Sequence, residues 1–272
     1  MKANVMVNGL PGNMAKEVAE QIRNSNDMEL SNYAFTGKGM PCSCGVLERK
    51  IHLISPENKT SFLKQNKISS PFLSVDYSHP SAVNSNCDFY CNNNLPFVMG
   101  TTGGNREVLE QRVRDSNIVA VIAPNMAKQI VAFQAMMKYA AETFPNAFRG
   151  YELQITESHQ SGKADTSGTA KAMLQYFNQL GIPFVKNQIR MIRDLSCQKN
   201  MGVPEEHLGG HGWHTYTLNS GEGDVLFSFT HNVNGRGVYA AGTLDALRFL
   251  DKKVQKTQHG KVYSMIDVLK EN

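Results

Sequence analysis

The sequence predicts an α/β protein with an N-terminal Rossmann-like, doubly wound parallel sheet. A central α+β domain with a mixed sheet follows it. Three observations predict this. Short apolar runs alternate with helical stretches through the first half. A glycine turn, Gly9-Leu10-Pro11-Gly12, joins the first apolar run directly to the first helical stretch. The alternation ends after Asn125, where one long helical pattern gives way to closely spaced strand patterns.

Val5–Asn8 is an apolar run of strand length, and the spacing of Val18, Ala19 and Ile22 predicts a helix over Ala15–Arg23. A second strand is expected at about Leu30–Phe35, stopping at Thr36-Gly37. Phe72–Val75, Phe97–Met99 and Ile118–Ile122 read as further strands, separated by helices such as Arg106–Ser116. Such alternation builds parallel sheets through right-handed crossovers. Ile130–Thr143 is an amphipathic helix, Tyr151–Ser158 a strand and Thr169–Leu180 a helix. Ile189–Asp194, His214–Leu218 and Val225–Val233 then read as strands of an antiparallel or mixed sheet, and Ala240–Leu250 returns to helix. The expected organisation is a dinucleotide-binding domain, 1–126 with 240–272, and a substrate-binding domain, 127–239.

Composition narrows the function classes. With 41% hydrophobic and 19% charged residues, the 272-residue chain can bury a sizeable core and is not of disordered type. A net charge of +4 without any block of like charges argues against a nucleic-acid partner and is compatible with a small anionic substrate. No apolar run approaches the ~20 residues that cross a bilayer, so no membrane partner is expected. Five cysteines without framework spacing read as free thiols of a reducing compartment.

Gly9 permits the tight first turn, and Gly12 lets a pyrophosphate approach the backbone at the start of the helix, near Asn13 and Met14. That helix terminus offers free N–H groups and the positive end of the dipole. At the end of the second strand an acid would accept from a ribose 2′-hydroxyl, but here stand Thr36 and Lys38. A hydroxyl donor and a cation favour NADPH, with NADH as the alternative. Tyr77 and Ser78, the Gly100-Thr101-Thr102-Gly103-Gly104 loop, and Pro124, Asn125 and Met126 all follow strands, where ligands of open α/β sheets bind.

The most informative stretch runs from Glu157 to Ala172. It begins as a strand ends and finishes in a helix, with Ser167 or Thr166 as the N-cap. Ser167, Gly168 and Thr169 therefore present amides and hydroxyls at a positive helix terminus, a carboxylate site. Lys163 adds a charge, and His159 is the natural proton carrier at neutral pH. Helix capping accounts for Ser167-Gly168-Thr169 by itself, but not for a His and a Lys in the same loop.

Glu157-x-His159-x-x-x-Lys163-x-Asp165 with Ser167-Gly168-Thr169-Ala170 resembles the signature of the dihydrodipicolinate reductase family. The resemblance extends to Gly9-x-x-Gly12-x-Met14, Gly100-Thr101-Thr102-Gly103, Ala123-Pro124-Asn125 and Thr230–Arg236. Glu157–Gln160, Ile192-Arg193-Asp194 and Gly202–His207 are similar to its plant-type branch. The resemblance implies NADPH-dependent reduction of a cyclic unsaturated imine on the diaminopimelate route to lysine. It implies that His159 and Lys163 are catalytic, His159 as the acid. It also implies that Thr102, Lys163, Ser167, Gly168 and Thr169 hold a small dicarboxylate substrate. A homo-oligomer, dimer or tetramer, built through 127–239 is expected, located in the chloroplast stroma if plant-derived and cytoplasmic otherwise. A non-catalytic relative acting in assembly of a plastid complex is the alternative. Asn13 and Ala15 depart from the family pattern, which has a cation and a glycine there. His207, His211 and His214 read as a structural loop with no metal, and Arg236 as a cleft or subunit-contact residue.

Overall fold

The computed structural model describes residues 2–65, 72–163 and 165–271. The chain divides into two compact units, Met1–Lys128 with Gly237–Asn272, and Gln129–Arg236. The divisions differ by two or three residues from those expected and fall at the starts of two helices.

The first unit runs β1 (Ala3–Asn8), α1 (Asn13–Arg23), β2 (Met28–Leu30), β3 (Tyr33–Phe35), β4 (Ser43–Val46), β5 (Arg49–Ile54), α2 (Lys59–Gln65), β6 (Leu73–Asp76), α3 (Val83–Asn92), β7 (Phe97–Met99), α4 (Arg106–Arg114) and β8 (Val119–Ile122). The second unit holds most of α5 (Lys128–Thr143), then β9 (Tyr151–His159), α6 (Gly168–Gln179), β10 (Arg190–Ile192), α7 (Leu195–Asn200), β11 (His211–Ser220) and β12 (Leu226–Asn234). The chain then returns to the first unit with α8 (Gly237–Gln255), β13 (Lys261–Tyr263) and α9 (Met265–Lys270).

Six strands in the order β13-β8-β7-β6-β1-β2 form an all-parallel sheet. Its core strands are buried on both faces, as in Val5–Asn8 and Val119–Ile122, which is why they read as continuous apolar runs. Register aligns their carboxyl ends: Asn8 lies opposite Asp76, Asp76 opposite Met99, and Met99 opposite Ile122. The turns after these residues therefore share one edge. Helix α1 buries Ala15, Val18, Ala19 and Ile22, one stripe at helical spacing. Each large side chain so buried contributes about 1.5–3 kcal/mol. The Ala15 methyl is fully buried, so the first turn accommodates it.

The strand expected over Leu30–Phe35 is two strands. β2 pairs with β1, and β3 pairs with β5 in a separate three-stranded sheet, β3-β5-β4. Short polar strands such as Ser43–Val46 and Lys261–Tyr263 carry too little periodicity to be read from sequence.

The second unit is a mixed four-stranded sheet, β10-β9-β11-β12. β10 runs parallel to β9, and the other pairs are antiparallel. Along β11 the buried residues alternate through His214, Tyr216 and Leu218, of which Tyr216 and Leu218 share a core with Met173 and Phe177 of α6. β10 stops at Ile192 because the Asp194 side chain caps α7, accepting from the Cys197 N–H at 2.8 Å. All five cysteines are free thiols. Among the described residues no helix is long and apolar enough to cross a membrane.

Candidate active site

In the first unit a cavity of about 590 Å³ opens along the aligned strand ends. Gly9, Gly12, Thr36, Lys38, Tyr77 and Ser78 line it, together with His79 and with Met40, Lys59 and Asn86, which the sequence did not single out. Gly9 has φ +100°, and a Cβ there would lie 2.2 Å from the Tyr77 carbonyl oxygen, so only glycine fits. Gly12 begins α1 without a side-chain cap, which leaves the first amides of that helix free of side-chain acceptors. Beneath the cavity Asp76 is fully buried. It accepts from Ser78 N–H and Oγ, Asn86 Nδ2, Tyr90 OH and Thr101 Oγ1. This network fixes the loop after β6.

Other expected cofactor residues are placed differently. The Thr36 hydroxyl donates to the Leu10 carbonyl at 2.6 Å, so its proton holds the glycine turn and is not free for a phosphate. Asn13 and Met14 open α1 outside the cavity lining, and Lys38 is exposed. Gly100 packs on Tyr77, where a Cβ would lie 2.4 Å from the ring. The Tyr77 hydroxyl donates to Thr243 Oγ1 at 2.6 Å, and burial pushes it up to about 12. Thr102 and Pro124 are exposed, and Asn125 Oδ1 accepts from the Ala127 N–H. Met126 is only 2% exposed, and its carbonyl meets α8 at Gly242, so it is a packing residue of this unit.

In the second unit β9 carries Glu157 and His159 to the start of the loop that bears Lys163. Ala164 of that loop lies outside the described residues. The loop ends at Ser167, whose hydroxyl caps α6 by accepting from Ala170 N–H at 3.0 Å. Gly168, exposed, and Thr169, half-buried, begin its first turn. Glu157 is fully buried. One oxygen accepts from Arg193 and the other accepts from the Ser167 N–H at 3.0 Å. Arg193 also donates through Nε to the Lys163 carbonyl at 2.7 Å. The carboxylate and guanidinium thus hold both ends of the Lys163–Ser167 segment.

His214 comes from β11 and reaches the same point. Its Nε2 lies 2.8 Å from Ser167 Oγ and 3.7 Å from Glu157 Oε2. The β9–β11 pairing sets Glu157 opposite His214, an arrangement that sequence distance hides. The strand expected from His214 begins at His211, so both histidines belong to a strand that borders the site and not to a loop. Glu157, His159 and His214 also bring one donor atom each within 4.8 Å of one another. Arg193 already occupies that carboxylate, so a divalent cation there would face a guanidinium.

The electrostatics determine what His159 can do. A carbonyl oxygen only accepts, so the 3.1 Å contact between Nδ1 and the His211 carbonyl puts a proton on Nδ1. Nε2 then carries the free lone pair, buried and without a partner among the described residues. Burial lowers His159 to about 4, against the opposing pull of Glu157, while the charges of Arg193 and Lys163 deepen the shift. Glu157 is held below the ordinary carboxylate range: Arg193 and the Ser167 N–H overcome its burial. Around the neutral imidazole stand two cations, Lys163 and Arg193, and one carboxylate, Glu157, so one positive charge is left over.

The dihydrodipicolinate reductase N-terminal family model matches residues 3–126, and the C-terminal family model matches residues 129–269. A rice (Oryza sativa subsp. japonica) protein named probable 4-hydroxy-tetrahydrodipicolinate reductase 1, chloroplastic, is 46% identical over 270 residues, covering 98% of this chain and 78% of its own. The Arabidopsis thaliana 4-hydroxy-tetrahydrodipicolinate reductase 1, chloroplastic, is 44% identical over 271 residues with the same coverage. A dipicolinate-bound dihydrodipicolinate reductase from Paenisporosarcina sp. TG-14 shares the fold, with a TM-score of 0.63, 21% identity and coverage of 97% of this chain and 98% of its own. With both halves matched and plant relatives aligned along nearly its whole length, the chain belongs to the dihydrodipicolinate reductase family.

Proposed function

We propose that this chain is a 4-hydroxy-tetrahydrodipicolinate reductase of lysine biosynthesis by the diaminopimelate route. The observation that carries this reading is the convergence of His159, Lys163 and the capped α6 terminus at Ser167 around the buried Glu157–Arg193 pair. The Gln129–Arg236 unit binds the dicarboxylate, and Met1–Lys128 with Gly237–Asn272 binds the nucleotide. Lys163, the Gly168 and Thr169 amides and the Thr169 hydroxyl hold one carboxylate, while Ser167, whose N–H is given to Glu157 and whose hydroxyl caps Ala170, shapes that terminus.

NADPH, preferred over NADH, would supply the hydride that reduces C4 of the conjugated imine formed when the 4-hydroxyl leaves as water. Negative charge then moves through the π system to the ring nitrogen, and C3 takes a proton. His159 holds that proton on Nε2. It is neutral before substrate arrives, so it acts as the acid only after the dicarboxylate has raised its proton affinity. Gly9, Gly12, Asn13 and Met14 accommodate the pyrophosphate, and Lys38 lies at the ribose end. Tyr77, Ser78, Gly100, Pro124 and Asn125 serve the nicotinamide half. Leu226 and Phe227, exposed at the β12 edge, support association of copies through this sheet into a homo-oligomer. The chloroplastic names of the rice and Arabidopsis relatives support a plastid location.

The test is loss of NADPH absorbance with substrate generated by a coupled synthase, for the native chain, His159→Gln and Lys163→Ala. Turnover cut by ~10²-fold or more in the variants is expected for losing a positioned acid. A native chain that binds nucleotide but turns nothing over refutes the reading.

A further inference from the structure

The nucleotide cavity contains a buried cation that the family motifs do not include. Lys59 opens α2 after the short helical turn Pro56–Asn58 that follows β5, and β5 runs beside β3, with Phe35 opposite Ile54 and the Thr36 N–H donating to the Ile54 carbonyl at 3.0 Å. Lys59 therefore lies at the strand end where folds of this class read the ribose 2′ substituent. Its side chain lines the cavity, yet the residue is only 9% exposed.

The ammonium has three donors, but Nζ makes one hydrogen bond among the described residues, to Asn86 Oδ1 at 2.8 Å. It lies 5.5 Å from the ring centroids of both Phe35 and Phe89. Among the described residues no carboxylate forms an ion pair with it: Asp76 acts on it at longer range by its charge and through Asn86, whose Nδ2 donates to Asp76 Oδ2 at 2.9 Å and to Ser78 Oγ at 3.0 Å. Those two bonds orient the Asn86 amide, so its oxygen holds Nζ in place. A buried cation without a paired anion is costly, and burial accordingly lowers the proton affinity of Lys59. Such a charge lining a cavity calls for an anionic ligand group. The alternatives at this end are weaker, since the Thr36 proton is committed to Leu10 and Lys38 is exposed to solvent.

We propose that Lys59 is the residue that binds the 2′-phosphate of the nucleotide, its ammonium donating to the phosphate oxygens from the floor of the cavity while Asn86 fixes its position. The proposal rests on the reading of this cavity as the NADPH site, and it assigns phosphate discrimination to Lys59 instead of to the exposed Lys38.

Calorimetric titration of the full chain with 2′,5′-ADP and with 5′-AMP tests it, using the native protein, Lys59→Met, Lys59→Arg and Lys38→Met. Lys59→Met is expected to weaken 2′,5′-ADP by about tenfold to a hundredfold, the range for one charge-assisted hydrogen bond, and 5′-AMP by no more than about twofold. Lys59→Arg keeps most of the preference. Lys59→Gln replaces the methionine variant if that variant does not fold. Unchanged 2′,5′-ADP affinity in Lys59→Met, an equal loss for both probes, or a preference abolished by Lys38→Met alone overturns the assignment while leaving the cavity a nucleotide site. A native chain that binds neither probe nor NADPH removes the nucleotide reading, and the assignment falls with it.

Discussion

Binding of a dicarboxylate beside Lys163 is expected to draw a proton onto His159. In the unliganded site His159 titrates at about 4, with its Nδ1 proton given to the His211 carbonyl and Nε2 free. At pH 6 a group with that proton affinity is roughly 1% protonated. Each opposite charge brought within a few ångströms raises an imidazole by about 1–3 units, and Lys163 and Arg193 absorb part of the effect of a dianion. A net rise of about 2–4 units places His159 near 6–8 when bound, so binding at pH 6 takes up about 0.5–1 proton. Calorimetric titration with dipicolinate at pH 6, in buffers of different ionisation enthalpy, measures this number from the slope of apparent enthalpy against buffer enthalpy. His159→Gln should remove most of the slope. A zero slope in the native protein, or the same slope in His159→Gln, would refute the idea that substrate loads the acid.

Other consequences concern stability and the turn. Glu157→Gln leaves Arg193 without its buried partner. The Arg193 side chain is 18% exposed and keeps the Lys163 carbonyl, so the loss should be near the lower end of the buried-pair range, about 3 kcal/mol by urea unfolding. An unchanged midpoint would mean that the pair is not structural. Gly9→Ala combines φ +100° with a Cβ placed 2.2 Å from the Tyr77 carbonyl; about 2–6 kcal/mol of destabilisation and loss of NADPH binding are expected. Wild-type melting and affinity in that variant would contradict the turn geometry. Finally, His159, His211, His214 and His231 are all lowered by burial, His159 and His231 to about 4. The unfolded chain takes up their protons near pH 6.5, before the folded one does. Stability is therefore present above pH 6.5 and is lost as pH falls from there toward 4, by up to ~1.4 kcal/mol per pH unit for each histidine. Equal urea midpoints at pH 7 and pH 5 would count against neutral buried histidines.

The features legible in the sequence are those that depend on neighbours along the chain. Gly9 shows in the sequence because a tight strand-to-helix turn needs it locally, and Val18, Ala19 and Ile22 because a helix repeats its buried face at short spacing. The Ser167 cap and the His159–Lys163 loop are local in the same way: strand end, loop and helix start follow each other within a dozen residues. The split of Leu30–Phe35 was not legible, since which strand pairs with Met28–Leu30 and which with Tyr33–Phe35 is decided by partners elsewhere in the chain.

Only the tertiary structure brought Glu157, Arg193, Ser167 and His214 to one point. The antiparallel register of β9 and β11 sets Glu157 against His214, the parallel pairing of β10 with β9 carries Arg193 there, and hydrogen-bond register between distant strands leaves no trace in either segment alone. Burial acts in the same nonlocal way. It turned Thr36 toward Leu10, sank Met126 against α8, enclosed Lys59 above Asn86 and made His159 neutral. The sequence determined which chemical groups were available and on what kind of element each would sit. Packing determined which of them lost their water, and desolvation is what changes the proton affinity of a histidine or makes a lysine require an anion.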